Sequence, residues 1–127
     1  MSKNILIAGG FDCFSTRHLH IIKEAKKLTI PNGNVYVLLF ADYTQFVLNK
    51  TFPIQHVNDR RRNLEYFIKP ENIFVVDTSD YGNFLDNILA SFSDTTYMHY
   101  ETDKEFSGRD VFRKHGMQIK FIKEPKV

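Results

Sequence analysis

The residues best suited to chemistry lie close together near the amino terminus, between Gly9 and His18. Gly9 and Gly10 follow a short apolar run, and without a Cβ they let a ligand approach the backbone closely. Arg17 adds a fixed positive charge, and His18 can donate to a phosphoryl oxygen without a permanent charge. A helix that starts here would add the free N–H groups of its first turn, which favour phosphate. Glycines after a strand are by themselves more often a plain turn, so the neighbouring residues decide between the two interpretations.

The segments that must position these residues alternate between strand and helix patterns. Buried strands are predicted at 4–8, 35–40, 73–76 and 95–99, an edge strand at 117–122, and helices at 16–28, 42–48, 58–67, 81–92 and 104–114. Strands separated by helices of this length need right-handed crossovers, which predicts a Rossmann-like three-layer α/β/α domain with a mainly parallel, five-stranded sheet. Ligands of such sheets bind beyond the carboxyl ends of the strands, where the strand order switches.

Length and composition limit the classes of protein. The 127 residues fit one domain over 1–127, and 17 basic against 15 acidic side chains are too balanced to indicate general binding to nucleic acid. The single cysteine, Cys13, excludes an internal disulfide. The sequence has no apolar run long enough for a signal peptide or a membrane span, so we expect no membrane partner and a cytoplasmic location.

The residues after the first strand resemble the cytidylyltransferase-like nucleotidyltransferase superfamily, in particular the small glycerol-3-phosphate cytidylyltransferases. Their first loop begins Gly-Thr-Phe-Asp and ends in a His-x-Gly-His motif, and residues 10–18 here read Gly-Phe-Asp-Cys-Phe-Ser-Thr-Arg-His with the same spacing. Ser15 stands at the first histidine of the motif, Arg17 at its glycine and His18 at its second histidine. The likeness spans nearly the whole chain and includes Asp42 after the second strand, Lys50 in the following loop, and Arg60 before a Leu-Glu pair.

The resemblance implies transfer of a nucleotidyl group from CTP or ATP to a small phosphorylated or hydroxylated acceptor, with release of pyrophosphate and with Mg²⁺ carried by the nucleotide. It implies that His18 and Lys50 contact the α and β phosphates and that Arg60 contacts the β or γ phosphate. Further ligand contacts are predicted for Gly9, Gly10, Phe11, Asp12, Ser15, Arg17, His99 and Glu101. Small members of the family commonly dimerise, so a homodimer is expected.

Two alternatives to an active transferase stay open. The family has a Ser/Thr-rich segment after the last strand that holds the triphosphate, and residues 121–127 here read Phe-Ile-Lys-Glu-Pro-Lys-Val. Together with Ser15 and Arg17, this favours a catalytically impaired module that keeps the fold and binds a nucleotide or a protein. A flavodoxin-like or receiver-like domain would also alternate strands and helices, but it would place acidic residues at the strand ends, where only Asp12, Asp42 and Asp77 are candidates.

Several polar residues near the predicted site also have simpler interpretations. We expect Asp12 to cap the helix or to bind loop amides rather than to act as a base. His20 is expected to be structural or exposed, and a metal pair of His18 with His20 is not expected, because positions i and i+2 do not share a helix face. For His99 and Glu101 a nucleotide contact and a packing role both stay open, because the family's glycine is missing here and the Tyr100 ring is able to fill the base pocket. No metal site is predicted in the chain.

Overall fold

One parallel sheet forms the centre of the computed structural model, which describes residues 3–29 and 31–126. Its strands are β1 (Asn4–Gly9), β2 (Val35–Phe40), β3 (Ile73–Val76), β4 (Thr95–Tyr100) and β5 (Ile119–Ile122). Their order across the sheet is β3-β2-β1-β4-β5, and every neighbouring pair runs parallel. The predicted α/β, Rossmann-like class with a parallel five-stranded sheet is therefore confirmed.

The helices follow the strands in the predicted alternation. They are α1 (Thr16–Leu28), α2 (Asp42–Asn49), α3 (Val57–Glu65), α4 (Tyr81–Ile88) and α5 (Arg109–Lys114), with short 3₁₀ turns at Pro70–Asn72, Leu89–Ser91 and Glu101–Asp103. The predicted helix over 104–114 is wrong in its first half. Gly108, just before α5, has a left-handed backbone with φ of 87°, which an α-helix cannot continue through. The chain between the end of β4 and Gly108 therefore consists of a short 3₁₀ turn and loop residues instead of a helix.

The alternating side chains of the buried strands divide the interior into two layers. Ile5, Ile7 and Val37 pack with Ile22 and Leu64, which come from α1 and α3. The intervening positions, Leu6 and Leu38 among them, pack on the other face with residues of α4 and α5. Because successive side chains of a strand point to opposite faces, continuous apolar runs produce a sheet that is covered on both sides.

The strand order switches between β1 and β4. From β1 the chain moves outward through β2 and β3, then returns to pair β4 against the other side of β1 and continues to β5. The carboxyl ends of β1 and β4 thus lie side by side with their connections diverging, which leaves a crevice at the position where such sheets bind ligands. None of the helices within the described ranges has the length and apolar character needed to span a membrane.

Candidate functional site

A pocket of about 260 Å³ occupies the crevice beyond the carboxyl ends of β1 and β4. Gly9 lines it from β1, His99 and Tyr100 line it from β4, and Arg17 and His18 line it from the first turn of α1. Phe11, in the loop between β1 and α1, also lines it. The structure therefore brings together Gly9, Phe11, Arg17, His18 and His99 of the residues predicted to contact a ligand. The others, Gly10, Asp12, Ser15, Lys50, Arg60 and Glu101, lie outside its lining.

The loop between β1 and α1 is closely fitted to its surroundings. Phe11 and Cys13 both have positive φ angles, 50° and 47°, which are uncommon for residues with side chains. A Cβ on Gly10 would meet the side-chain amide of Gln45 from α2, so a larger residue there would have to displace the flexible end of that side chain. The glycine that the sequence suggested as a phosphate cradle thus also leaves room for one side chain of the neighbouring helix.

Asp12 fastens this loop to the segment that precedes α3. Its carboxylate accepts hydrogen bonds from the backbone N–H groups of Ile54 at 2.7 Å and Gln55 at 2.9 Å. Burial acts to raise the pKa of Asp12, but these two N–H donors together with the charge of Arg60 and the Cys13 N–H hold the pKa below its ordinary value. Asp12 therefore binds loop amides, as preferred from the sequence, and it is a structural support beside the pocket.

Arg60 is fully buried beneath the loop rather than presented to the pocket. Its guanidinium donates to the carbonyl oxygens of Gln55, Gly10 and Phe40 at 3.0, 2.7 and 2.6 Å, and to the Asp42 carboxylate at 2.6 Å. Four of the five N–H donors of an arginine are engaged in this way. This placement differs from the predicted contact with a β or γ phosphate, because a buried guanidinium surrounded by protein acceptors has no open edge toward the pocket.

His18 combines a fixed orientation with a free donor. The backbone N–H of Ser15, which precedes α1, donates to His18 Nδ1 at 3.1 Å. With Nδ1 acting as an acceptor, the proton of the neutral ring is on Nε2, which has no partner among residues 3–29 and 31–126. Burial and, secondarily, the charge of Arg17 lower the pKa of His18 from 6.5, so the ring is neutral at neutral pH. The rings of Phe11 and Phe14 lie 5.3 and 5.6 Å from it.

Arg17 lines the pocket and binds the segment after β5. Its Nε and Nη2 donate to the two carboxylate oxygens of Glu124 at 2.8 and 2.7 Å, and its guanidinium lies 4.2 Å from the centre of the Tyr100 ring. The hydrogen bonds to Glu124 raise the pKa of Arg17 further, so it is always charged.

The far wall of the pocket is an aromatic cluster around His99. His99 Nδ1 lies 3.0 Å from Tyr97 Oη, His99 Nε2 lies 2.9 Å from an Asp103 carboxylate oxygen, and the Phe106 ring stacks on His99 at 4.2 Å. Both ring nitrogens of His99 are thus occupied. Asp103, two residues after the predicted Glu101, is the one carboxylate that lines the pocket within the described ranges.

Tyr100 lines the pocket and also packs in the core. It is 4% exposed and belongs to the core layer under α1. Its hydroxyl donates to the Arg17 carbonyl at 2.8 Å, and His20 Nδ1 lies 3.0 Å from the same hydroxyl. Burial raises the pKa of Tyr100 to about 12, so the hydroxyl stays protonated. His20 is accordingly structural, as expected.

Lys50 is a sequence candidate that lies next to a pocket residue, and Tyr81 is a pocket residue that was not a candidate. Lys50 ends α2 in a left-handed conformation with φ of 64° and is exposed, while Asn49 before it lines the pocket. Tyr81, at the start of α4, also lines the pocket, and its buried hydroxyl has no partner in the described part of the chain. Sequence reasoning missed Tyr81 and Asp103, and the signal available was their position just after β3 and β4, at the same edge of the sheet.

No metal centre is formed by the chain's own side chains over residues 3–29 and 31–126, since no three His, Cys, Asp or Glu residues gather at ligand distances there. A divalent ion in this pocket would thus depend on a bound nucleotide for most of its ligands. The pocket residues fit such a complex, because they offer an arginine, a neutral imidazole donor and one carboxylate.

Comparison with known proteins supports the fold. Neither a family model nor a curated protein matches the chain. Among solved structures, the lipopolysaccharide core biosynthesis protein from Thermoplasma volcanium GSS1 is similar with a TM-score of 0.67 and 22% identity, over 100% of this chain and 99% of that one. A bifunctional NMN adenylyltransferase/ADP ribose pyrophosphatase from Francisella tularensis, solved with AMP and a manganese ion, is similar with a TM-score of 0.62 and 14% identity. This chain covers 38% of that second protein. The chain therefore has a nucleotidyltransferase-like α/β fold.

Proposed function

We propose that the protein is a nucleotidyltransferase that binds a nucleoside triphosphate, CTP or ATP, and transfers its nucleotidyl group to a small phosphorylated or hydroxylated acceptor. The observation that carries this proposal is His18. Its Nε2 is a free donor, oriented by the Ser15 N–H, in a pocket at the strand-order switch of a nucleotidyltransferase-like sheet. A donor held in place before the substrate arrives stabilises developing charge without reorganisation.

The reaction is an in-line displacement at the α-phosphorus. An acceptor oxygen forms the new P–O bond, the bond to the bridging oxygen of the β-phosphate breaks, and pyrophosphate leaves with the negative charge. In this proposal His18 Nε2–H donates to a phosphate oxygen, Arg17 contributes positive charge in the pocket lining, and Gly9 lets the chain of phosphates approach β1. Mg²⁺ carried by the nucleotide would neutralise charge on the phosphate oxygens. Orientation and charge stabilisation supply most of the catalysis in such reactions.

Two further residues have roles in the proposal that follow from their surroundings. Lys50 stands beside the pocket residue Asn49 at the exposed end of α2, and we propose that its flexible side chain contacts the phosphates of a bound nucleotide. Arg60 acts as a positioning residue, since it ties Gly10 and Phe40 to α3 under the pocket floor. The protein is proposed to be a cytoplasmic homodimer. Phe52 and Ile54, 62% and 85% exposed, offer apolar surface for a second copy.

The decisive experiment measures binding and turnover in parallel. The purified protein is incubated with Mg²⁺, each nucleoside triphosphate and a panel of phosphorylated and hydroxylated acceptors, while pyrophosphate release is followed and nucleotide binding is titrated by calorimetry. His18→Ala should lower turnover about a hundredfold or more, the usual cost of one positioned donor. His20→Ala is the matched control, because His20 lies two residues away, binds Tyr100 and does not line the pocket.

The outcomes separate the two functions left open by the sequence. Pyrophosphate release that depends on His18 but little on His20 supports the transferase. Binding of a nucleotide without release, with any acceptor, would assign the chain to a nucleotide-binding module with an impaired site. Equal losses in the two histidine variants would contradict the role given to His18.

A further inference from the structure

The contact between Arg17 and Glu124 joins the first turn of α1 to the segment after β5, 107 residues apart in the chain. It is bidentate, with Arg17 Nε and Nη2 each donating to one oxygen of the Glu124 carboxylate at 2.8 and 2.7 Å. Such paired hydrogen bonds fix the plane of a guanidinium as well as its position. Glu124 therefore decides where the charge of Arg17 is located.

Further contacts hold both partners of this pair. The Thr102 hydroxyl donates at 2.7 Å to Glu124 Oε1, the same oxygen that accepts from Arg17 Nη2, and so adds a second anchor for the carboxylate. The Tyr100 ring lies 4.2 Å beneath the Arg17 guanidinium, and the Tyr100 hydroxyl donates to the Arg17 backbone carbonyl at 2.8 Å. A long side chain that would otherwise sample many rotamers is thus held in one arrangement.

One edge of the guanidinium is left over for a ligand. Arg17 lines the pocket, and its Nη1 donors have no partner within the ranges that the structure describes. His18, the next residue, also lines the pocket and has its free Nε2 there. Two neighbouring donors with fixed orientation, one of them permanently charged, suit the adjacent oxygens of a phosphate chain.

We propose that Glu124 is a positioning residue that holds Arg17 with its Nη1 edge available to the pocket, so that Arg17 and His18 together form a clamp for a chain of phosphates. The identification of that chain as the triphosphate of a nucleotide rests on the proposed function, whereas the clamp for a polyphosphate anion does not. The segment after β5 thereby contributes to anion binding through a carboxylate that does not itself touch the anion.

The opposite role for Glu124 makes the opposite prediction. If the carboxylate merely competed with the ligand for Arg17, its removal would strengthen anion binding. Deleting a negative charge near an anion site acts in the same direction through simple electrostatics. A loss of affinity on removing Glu124 is therefore expected from positioning and from neither of the other two effects.

The test uses inorganic tripolyphosphate as the probe, titrated by calorimetry into the full chain. We expect Glu124→Ala to weaken tripolyphosphate binding about three- to tenfold, since a charged hydrogen-bond donor loses its orientation. Arg17→Ala should weaken it at least as much, and in the Arg17→Ala background the further change Glu124→Ala should cause no additional loss. Glu124→Gln, which keeps one oxygen as an acceptor, should fall between the wild type and Glu124→Ala.

The controls separate positioning from charge and from folding. Asp59→Ala also removes an acidic partner of an arginine, 3.2 Å from Arg62 on α3 and outside the pocket lining, and should leave affinity within about twofold of the wild type. Melting temperatures of all variants should stay close to that of the wild type, because the Arg17 and Glu124 side chains are 51% and 32% exposed and ion pairs in contact with water contribute little to stability.

The clamp would be overturned if Glu124→Ala left the tripolyphosphate affinity unchanged or raised it, or if it lowered the affinity equally with and without Arg17. A wild type that binds no tripolyphosphate at millimolar concentration would also overturn it. The same titrations with CTP and ATP report on the proposed function separately. If neither nucleotide binds more tightly than tripolyphosphate while the Arg17 and Glu124 dependence holds, the clamp stands and the proposed function fails.

Discussion

His18 shows how the chemistry of one side chain in this pocket depends on its immediate neighbours. The Ser15 N–H selects the tautomer, Phe11 and Phe14 desolvate the ring, and Arg17 adds a nearby positive charge. Desolvation and a like charge both disfavour the imidazolium form. A neutral Nε2–H donor at neutral pH is the common result of these separate contacts.

The protonation of His18 gives a direct test at this scale. Burial, followed by the charge of Arg17, lowers the pKa of His18 below 6.5, so its imidazole should titrate below that value in ¹H–¹⁵N spectra of the ring. Arg17→Ala removes one of the two causes and should raise the pKa of His18 toward 6.5. A pKa of His18 at or above 6.5 in the wild type would contradict the desolvated environment.

The sign of the linked stability change follows from the same shift. Because the folded pKa of His18 is lower than the unfolded one, the unfolded chain binds more protons between the two values. The stability linked to His18 is fully present above pH 6.5 and is lost as the pH falls through the folded pKa. Anion binding by the neutral His18 ring should be measured over the same pH range as this stability change.

At the scale of elements, Arg60 joins α3 to the ends of two strands. Its donors reach Gly10 after β1, Phe40 at the end of β2, and Asp42 at the start of α2. Gln55, just before α3, accepts from Arg60 Nε. One buried side chain therefore satisfies backbone carbonyls from three segments whose relative positions define the pocket floor.

Removing that side chain should destabilise the fold. Arg60→Met keeps much of the volume but leaves the carbonyls of Gly10 and Phe40 and the Asp42 carboxylate without their donor, so we expect a loss of about 3 kcal/mol in the free energy of unfolding. Urea denaturation followed by circular dichroism measures it. Arg62→Met, on the same helix with a side chain 73% exposed, should change stability by less than about 0.5 kcal/mol. Equal effects of the two changes would refute the role assigned to Arg60.

At the scale of the whole molecule, carboxylates with lowered pKa values connect distant segments. Asp12 holds the segment before α3, Asp42 binds Arg60, and Glu124 binds Arg17. For Asp12 and Asp42 burial opposes the shift but hydrogen bonds outweigh it, and for Glu124 the hydrogen bonds from Arg17 are the main cause. Each therefore favours the folded state in its ionised form.

Stability should fall in acid as these groups are protonated. A carboxylate whose folded pKa is depressed contributes stability that is present above its unfolded value, near 4, and is lost as the pH drops through the folded value. We expect the urea midpoint to decrease between pH 7 and pH 3, and Asp12→Asn to decrease the midpoint at pH 7 more than at pH 3. If the urea midpoint changed between pH 7 and pH 3 by the same amount in Asp12→Asn and in the wild type, this account would be contradicted.

Much of the architecture could be predicted from the residues because the signals are local. Apolar runs such as residues 35–40 and 73–76 match β2 and β3 to the residue, since a buried strand needs only a continuous apolar stretch bounded by turns. The location of the pocket beside Gly9 and His18 also followed from local order along the chain, because the carboxyl end of a strand and the start of the next helix are neighbours in sequence and in space.

The partners of the charged residues depended on the tertiary structure alone. Nothing local distinguishes Arg60, which is buried among carbonyl oxygens, from exposed Arg62 two positions later, and nothing local pairs Arg17 with Glu124. Those pairings arise because the sheet brings the end of β1, the start of α1 and the segment after β5 to one edge. A hydrogen bond requires its two atoms within about 3 Å, and that distance is a property of the packed chain rather than of residue type or spacing.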